Sequence, residues 1–452
     1  MYPNPQDVLP LPPRPNLEQY KKQAKDLVKA CKSGTPDAIR EWVVNWLDAL
    51  ARLQQATITA DLRASMDRRV DQIERFAREK LTGSGTPDAN CGLTDAHFVI
   101  ARAHGFESWP KFAKHLEGLA CAASPVSNFE AAAEAIVTGD VATLERLLRE
   151  EPALIRARST REHRAMLLHY VAANGVENYR QQTPSNAARI AEMLLEAGAE
   201  VDAEAEVYGG GCTTLGLVAT SVHPERAGVQ DALMQILIDH GAAIDYPGGA
   251  GNRHYLVNGC LANGRPAAAE YLAARGARLD LEGAAGIGRL DLVKSFFNPG
   301  GTLKPTATDE QMRAGFAWAC GYGRTAIVEF MLDQGMPLDA MLGHGQTGLH
   351  AAAIGGHADI VKLLLERHAP VNVIDKSYNG TPLSWALHGW GEAPAGAARE
   401  CYYEVVALLV RAGVTVNPRW FADDPDRKPF ADTLRADARM LAALRGEVVD
   451  HS

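Results

Sequence analysis

Glycines fall in pairs twelve residues apart along this chain, and that spacing limits what the chain can build. Gly264 and Gly276, Gly288 and Gly300, and Gly323 and Gly335 are such pairs; Gly356 with His368, and Gly139 with Glu151, keep the spacing with one member replaced. Glycine readily takes the left-handed conformation in which helices stop. Between the paired stops lie apolar stripes at helical period, such as Ile327, Val328, Met331 and Leu332, or Val405, Val406, Leu408 and Leu409. Each stripe covers one face of a short helix. One helix pair cannot bury such a face alone, so neighbouring pairs must stack. The pattern predicts an all-α fold of repeated helix pairs rather than one central core.

The clearest copy runs from Gly345 to Asn372 and resembles the ankyrin-repeat family. Thr347, Leu349, His350, Ala352, Ala353, Gly356, His357, Ile360, Val361, Leu363 and Leu364 match the family pattern, while Gly348 stands where that pattern has proline. Second helices end on related runs at Ala197–Asp202, His240–Asp245, Arg275–Asp280 and Ala412–Asn417. The resemblance implies an ankyrin-repeat solenoid of about eight units over residues 128–417. Their first helices are expected near 129–138, 166–174, 213–221, 255–263, 280–287, 313–322, 347–355 and 381–389. It further implies that His169 and His350 hydrogen-bond within and between units, and that a protein partner is bound on the concave face and at the hairpin tips.

Three units carry extra residues between their helices, at Gly175–Gly198, Val222–Gly241 and Trp390–Gly413. Surface insertions cost little, so drift explains them, but insertions on one edge are also where a binding wall would stand. Conversely, Gly264 to Gly288 is short for a unit, which leaves little room for a hairpin before unit five and opens a gap or a pocket there.

Residues 1–16 form a proline-rich segment, and residues 17–122 read as a helical domain with helices near 17–30, 36–53, 59–81, 94–104 and 109–116. Ser108 is the expected N-cap of the last, with Pro110 in its first turn. The run Gly105–Phe112 resembles a segment ahead of some bacterial ankyrin arrays. A small-residue linker, Cys121–Ser127, leads to the array, whose first apolar face the helical domain would cap. Residues 418–452 read as a C-terminal helical cap ending in a helix from Asp432 to Leu444.

The seven cysteines form no C-x-x-C pair and are widely spaced, so free thiols in a reducing compartment are expected. No apolar run reaches membrane-spanning length, and Met1–Pro15 lacks the basic and apolar regions of a signal peptide. These features point to a cytoplasmic protein. Residues 1–125 hold 17 Lys and Arg against 15 Asp and Glu, which leaves the remaining residues at −11 of the total −9. An acidic array disfavours nucleic acid as a partner.

No H-E-x-x-H, Walker or G-x-S-x-G motif occurs, and the fourteen histidines lack metal-ligand spacing, so neither metal nor cofactor is expected. The resemblance places Tyr170, Leu217, Trp318 and Trp385 on the concave face, and His388 on its next turn. Gly259, Gly283 and Gly286 share that face in the middle of the array. Small residues there serve tight packing, or else form the floor of a hollow walled by Tyr170, Trp318, Tyr322 and Trp385. A hollow would make the chain a small-molecule binder or enzyme, with Tyr170, His254, Glu282, Tyr322 and His388 as acid–base candidates. Glycine-rich tips at Tyr208–Cys212 and Gly248–Tyr255, the latter with Arg253, His254 and Tyr255, offer an anion site. The favoured reading is a non-catalytic protein-binding scaffold.

Overall fold

The computed structural model describes residues 4, 7–53, 60–82, 91–245, 255–342, 345–394, 396–417, 420 and 428–447. The chain divides into two compact units, Met1–Arg253 and His254–Ser452.

The N-terminal unit opens with α1 (Leu17–Lys32), α2 (Ala38–Leu53), α3 (Ala60–Thr82), α4 (Leu93–Ala103) and α5 (Trp109–Ala120). Their apolar faces meet around Tyr20, Leu27, Val43, Trp46, Ile73, Ile100, Phe106 and Phe112. Asn16 starts α1 by accepting a hydrogen bond from the Glu18 N–H at 2.8 Å. Ser108 precedes α5 in extended conformation, with Pro110 in the first turn, but its hydroxyl makes no capping bond. Cys31 and Cys91 are joined in a disulfide, Cα atoms 6.1 Å apart. The expectation of seven free thiols therefore fails at these two. The packing of α1 on α4 brings them together, which a separation of 60 residues does not reveal.

Three helix pairs follow. The first is α6 (Pro125–Thr138) with α7 (Val141–Glu150). The second is a 3-10 turn, Leu167–Ala172, with α8 (Ala187–Glu196). The third is α9 (Thr214–Thr220) with α11 (Gln230–Asp239), the short α10 (Val222–Arg226) filling its insertion. The linker is shorter than expected, because the Ser124 hydroxyl caps α6 by accepting from Ser127 N–H at 3.0 Å. Helix α5 lies directly on α6: a Cβ at Gly118 would come within 2.9 Å of Val126. The finger before α9 is a small hairpin, β1 (Glu204–Ala205) against β2 (Cys212–Thr213), antiparallel with Glu204 opposite Thr213.

The C-terminal unit holds five pairs: α12 (Leu256–Ala262) and α13 (Pro266–Ala273), α14 (Leu281–Gly286) and α15 (Leu290–Ser295), α16 (Asp309–Gly321) and α17 (Thr325–Asp333), α18 (Gly348–Ile354) and α19 (Ala358–Glu366), α20 (Pro382–Glu392) and α21 (Ala397–Arg411). Their buried faces join in one elongated core through Val293, Phe316, Ile327, Met331, Leu349, Leu364, Leu383, Trp390 and Val405. Left-handed turns end most of these helices, but after α15 the turn falls on Gly301 (φ 84°) and not on Gly300. The expected final helix is two, α22 (Lys428–Ala436) and α23 (Ala438–Ala443), because the Asp437 carboxylate accepts from Met440 N–H at 2.9 Å and starts a new one.

Only residues 274–280 separate α13 from α14, and no finger forms there. Asp280 takes over the polar duties of the missing hairpin. Its carboxylate caps α14 through Gly283 N–H at 2.8 Å and accepts from Asn258 Nδ2 at 3.0 Å and Gln311 Nε2 at 3.0 Å.

Candidate functional site

The fingers of the C-terminal unit carry its most exposed apolar side chains. Met341 lies in the finger before α18, and Ile374 and Tyr378 lie in the finger before α20; they are 44 %, 54 % and 77 % exposed. The two fingers touch, since a Cβ at Gly345 would come within 3.0 Å of Lys376. Asp375, itself buried, fixes the tip from within. Its carboxylate accepts from the N–H groups of Ser377 (2.9 Å), Tyr378 (2.7 Å) and Gly380 (2.8 Å), and from Trp385 Nε1 at 3.0 Å. Burial pushes the Asp375 pKa up, but these donors outweigh it and hold the carboxyl below its usual value. The Tyr378 ring meets Trp385 edge-on, centroids 5.9 Å apart. The finger is thereby tied to the first helix behind it.

Further along the same face, Trp318 Nε1 donates to Glu282 Oε1 at 2.9 Å and the indole stacks on Tyr322 at 5.9 Å. The Tyr322 hydroxyl donates to the Leu261 carbonyl, and burial pushes its pKa up to about 12. Trp318, Tyr322 and Trp385 are half-buried, Glu282 is buried, and His388 is exposed on α20. Tyr255 is half-buried at the N-cap of α12. Arg253 and His254 lie outside the described residues, as does most of the second glycine-rich tip.

Three expectations are corrected. Gly283 and Gly286 leave no open floor: a Cβ at Gly286 would sit 2.4 Å from Leu261 Cδ1, and one at Gly283 would sit 2.7 Å from Asn258 Oδ1. Glycine here lets adjacent first helices approach. Tyr170 and Leu217 are fully buried in the N-terminal unit and cannot wall a hollow or meet a partner. The Tyr208–Cys212 tip is also a poor anion site, because its Gly210 lies against the Glu206 carboxylate, 3.3 Å from where a Cβ would stand.

Sequence reasoning missed a buried charge cluster in the N-terminal unit. Arg161 Nη1 lies 2.5 Å from Glu130 and 2.9 Å from Glu177; Arg180 Nη1 lies 2.8 Å from Glu130 and 3.6 Å from Glu177. Arg161 also donates to Tyr179 Oη at 3.1 Å. Burial raises the pKa of both carboxyls, but Arg161 and Arg180 more than reverse it, and Glu130 falls to about 2. Glu177, Tyr179 and Arg180 come from the insertion in the second pair, which folds inward and builds no outer wall. The loop bearing Arg161 docks on the N-terminal helices: Glu162 N–H donates to the Gly105 carbonyl at 2.9 Å, and Thr160 Oγ1 pairs with His115 Nδ1 at 2.7 Å. The two buried guanidiniums and two buried carboxylates satisfy one another, with Glu134 also 3.4 Å from Arg180 and His163 3.4 Å from Glu177, so the cluster is a lock between elements. The insertion length was the only signal that could have found it.

The paired histidines act between fingers and helices. Met166 N–H donates to His169 Nδ1 at 3.1 Å, so Nε2 carries the proton and reaches the Ala203 carbonyl of the next finger at 2.9 Å. His350 bonds to Thr347 and to the Gly380 carbonyl in the same way. Among the described residues no group of His, Cys, Asp and Glu could hold a metal ion, and no helix is long and apolar enough to cross a membrane.

Stacked helix pairs with protruding fingers and histidine ties define a tandem helix-hairpin repeat protein. In the C-terminal unit these are ankyrin repeats: a family model described as "Ankyrin repeats (3 copies)" matches residues 281–375 and 316–420. Ankyrin repeats in general are scaffolds for protein–protein interaction. The chain is 42 % identical over 67 residues to Inversin of Gallus gallus, covering 14 % of this chain and 6 % of that protein. It is 32 % identical over 111 residues to Palmitoyltransferase Hip14 of Drosophila melanogaster, covering 24 % and 16 %. It therefore spans only a small part of the length of these relatives. Both organisms are eukaryotes, so the bacterial likeness rests on the Gly105–Phe112 run alone. Among solved structures, the human ASB11 ankyrin repeat domain aligns with a TM-score of 0.32 at 20 % identity, over 63 % of this chain and 99 % of that one.

Proposed function

We propose that this chain is a non-catalytic scaffold that binds another protein through the fingertips and first-helix face of its C-terminal unit, in the cytoplasm. The observation that carries the reading is the row of exposed Met341, Ile374 and Tyr378 on two touching fingers, braced by Asp375 and Trp385. Exposed apolar side chains on a rigid mount are what a partner's hot spots pair with. The resemblance of Gly105–Phe112 to a segment ahead of bacterial arrays supports a bacterial-type architecture for the front of the chain.

The test compares partner capture by the wild-type chain, an Ile374→Ser/Tyr378→Ser variant, and a Lys362→Ala control on the exposed side of α19. A partner should be held by wild type and control and lost by the fingertip variant, a drop in affinity of about 30-fold for two anchors of about 1 kcal/mol each. Equal capture by all three chains, or by none, overturns the reading. Fractionation of the native protein checks its location.

A further inference from the structure

We propose that the Cys31–Cys91 disulfide is a reversible clasp that sets how firmly the α2–α3 hairpin is fastened to the other N-terminal helices. The bond joins the last turn of α1 to the residue two places before α4. Everything from α2 to α3 lies between its ends. The bond therefore closes the neck of the segment that leaves α1 and returns at α4.

Two kinds of contact hold the segment apart from the bond. Within it, Arg40 pairs with Asp71 at 2.7 Å and Glu74 at 2.8 Å, and Arg78 pairs with Glu74 at 2.7 Å. The Arg40 pairs join α2 to α3 and the Arg78 pair lies within α3, and partly exposed pairs are weak. Toward the core, Val43, Trp46, Leu47 and Leu50 on α2 and Ile73 on α3 are buried against Tyr20, Val99 and Ile100. With the neck open, the hairpin keeps its internal pairing and is attached mainly by this apolar face, with Arg69 Nη2 donating to Asn178 Oδ1 at 3.1 Å. A crosslink spanning many residues is worth more than one closing a short loop, so its loss is felt.

The sulfurs are placed for exchange in one order. Cys91 is 4 % exposed, whereas Cys31 is only partly covered, so an incoming thiolate reaches Cys31 first. One thiolate of a dithiol reductant attacks Cys31 Sγ. The S–S bond breaks, and Cys91 leaves as a thiolate that takes up a proton. The second thiol of the reductant, as thiolate, then attacks the mixed disulfide and frees Cys31. Two electrons pass to the protein, and the reductant ends as its own disulfide. A disulfide oxidant runs the exchange backwards. The buried Cys260 and Cys320 stay out of it, since burial pushes both thiols up and Cys260 to about 12. A reducing compartment holds the clasp open and an oxidising one holds it shut.

The full chain, treated with oxidised glutathione, alkylated and digested, should yield Cys31 and Cys91 peptides as a linked pair. Hydrogen exchange of residues 38–82 should then speed up about ten-fold on adding dithiothreitol, with residues 255–417 unchanged. A Cys31→Ser variant should exchange like the reduced chain and ignore dithiothreitol. Free thiols at both positions after oxidation overturn the proposal. So does a linked pair whose reduction leaves exchange in α2 and α3 unaltered.

Discussion

Replacing Glu177 by glutamine keeps the side chain's shape and removes one charge from the cluster of Glu130, Arg161, Glu177 and Arg180. Glu177 is fully buried, and its carboxylate lies 2.9 Å from Arg161 and 3.6 Å from Arg180. At an effective dielectric of about 20, each contact contributes about 5 kcal/mol of attraction, most of which offsets the cost of burying the charges. The net worth of the pairs is therefore small, but the cost of breaking them is not. With glutamine in place, two guanidinium groups face one buried carboxylate, Glu130, with the exposed Glu134 beside Arg180 at 3.4 Å. Leaving a buried charge uncompensated costs about 3 kcal/mol. For a unit of this size that lowers the midpoint of thermal unfolding by about 10 °C. Calorimetry of the whole chain, with hydrogen exchange across residues 125–182 to assign the transition, reads the effect. The double variant Glu177→Gln/Arg180→Gln restores equal numbers of the two charges, so it should be more stable than the sum of the single losses by at least about 1 kcal/mol. A loss under 1 kcal/mol for Glu177→Gln, or strict additivity in the double variant, would refute the account of the cluster as one charge-balanced lock.

The N-terminal unit should also lose stability in acid. Burial lowers the pKa of His104 to about 3 and of His115 and His169 to about 4, so below pH 6.5 the unfolded chain binds protons that the folded chain refuses. Glu130 and Glu177, held low by Arg161 and Arg180, add stability that is present above pH 5 and vanishes toward pH 2. Denaturant midpoints measured from pH 7 down to pH 3 should fall throughout, and a midpoint flat over that range would contradict the burial of these groups. Gly286→Ala should destabilise the C-terminal unit by about 1–3 kcal/mol, because Leu261 stands 2.4 Å from the new methyl and is itself buried; a neutral result by urea titration would restore the open floor. Asp375→Ala strands three backbone donors and the Trp385 indole, and should cost about 2 kcal/mol and speed hydrogen exchange at residues 375–380 before any effect on α19.

The repeats were legible because their cause is local. A helix of fixed length needs a stop, and glycine or histidine at φ above zero marks it, as at Gly323, Gly335 and His368. The helix pairs follow from those marks and from the apolar stripes between them. Accessibility was legible only where a position in the repeat determines it, as for Trp318, Trp385 and His388. The reading failed for Tyr170, which occupies the same repeat position as Trp318 but lies beneath the docked insertion. The charge cluster was hidden because Glu130, Arg161 and Glu177 stand far apart along the chain, and each alone reads as a solvated charge. Gly286 was ambiguous for a different reason: a missing side chain marks either empty space or close approach, and only the neighbour, Leu261, decides which.

The two indole–carboxylate pairs, Trp385 with Asp375 and Trp318 with Glu282, bear on how the proposed binding surface would be prepared for a partner. A finger that moves freely in the unbound chain loses that freedom on docking, and each immobilised side chain subtracts about 0.5–1.5 kcal/mol from affinity. Asp375 removes much of that freedom beforehand, by holding three N–H groups of the tip and the tryptophan behind it. Glu282 does the same for Trp318 in the stretch where the short 274–280 junction has no finger to lean on. In both places a buried carboxylate orients a half-buried aromatic ring. It follows that Asp375→Asn, which keeps the shape but weakens the acceptor, should reduce partner affinity mainly through a slower association rate, since fewer chains present the docked conformation. Loss confined to the dissociation rate would mean instead that Asp375 touches the partner itself, and the division between brace and anchor would have to be redrawn.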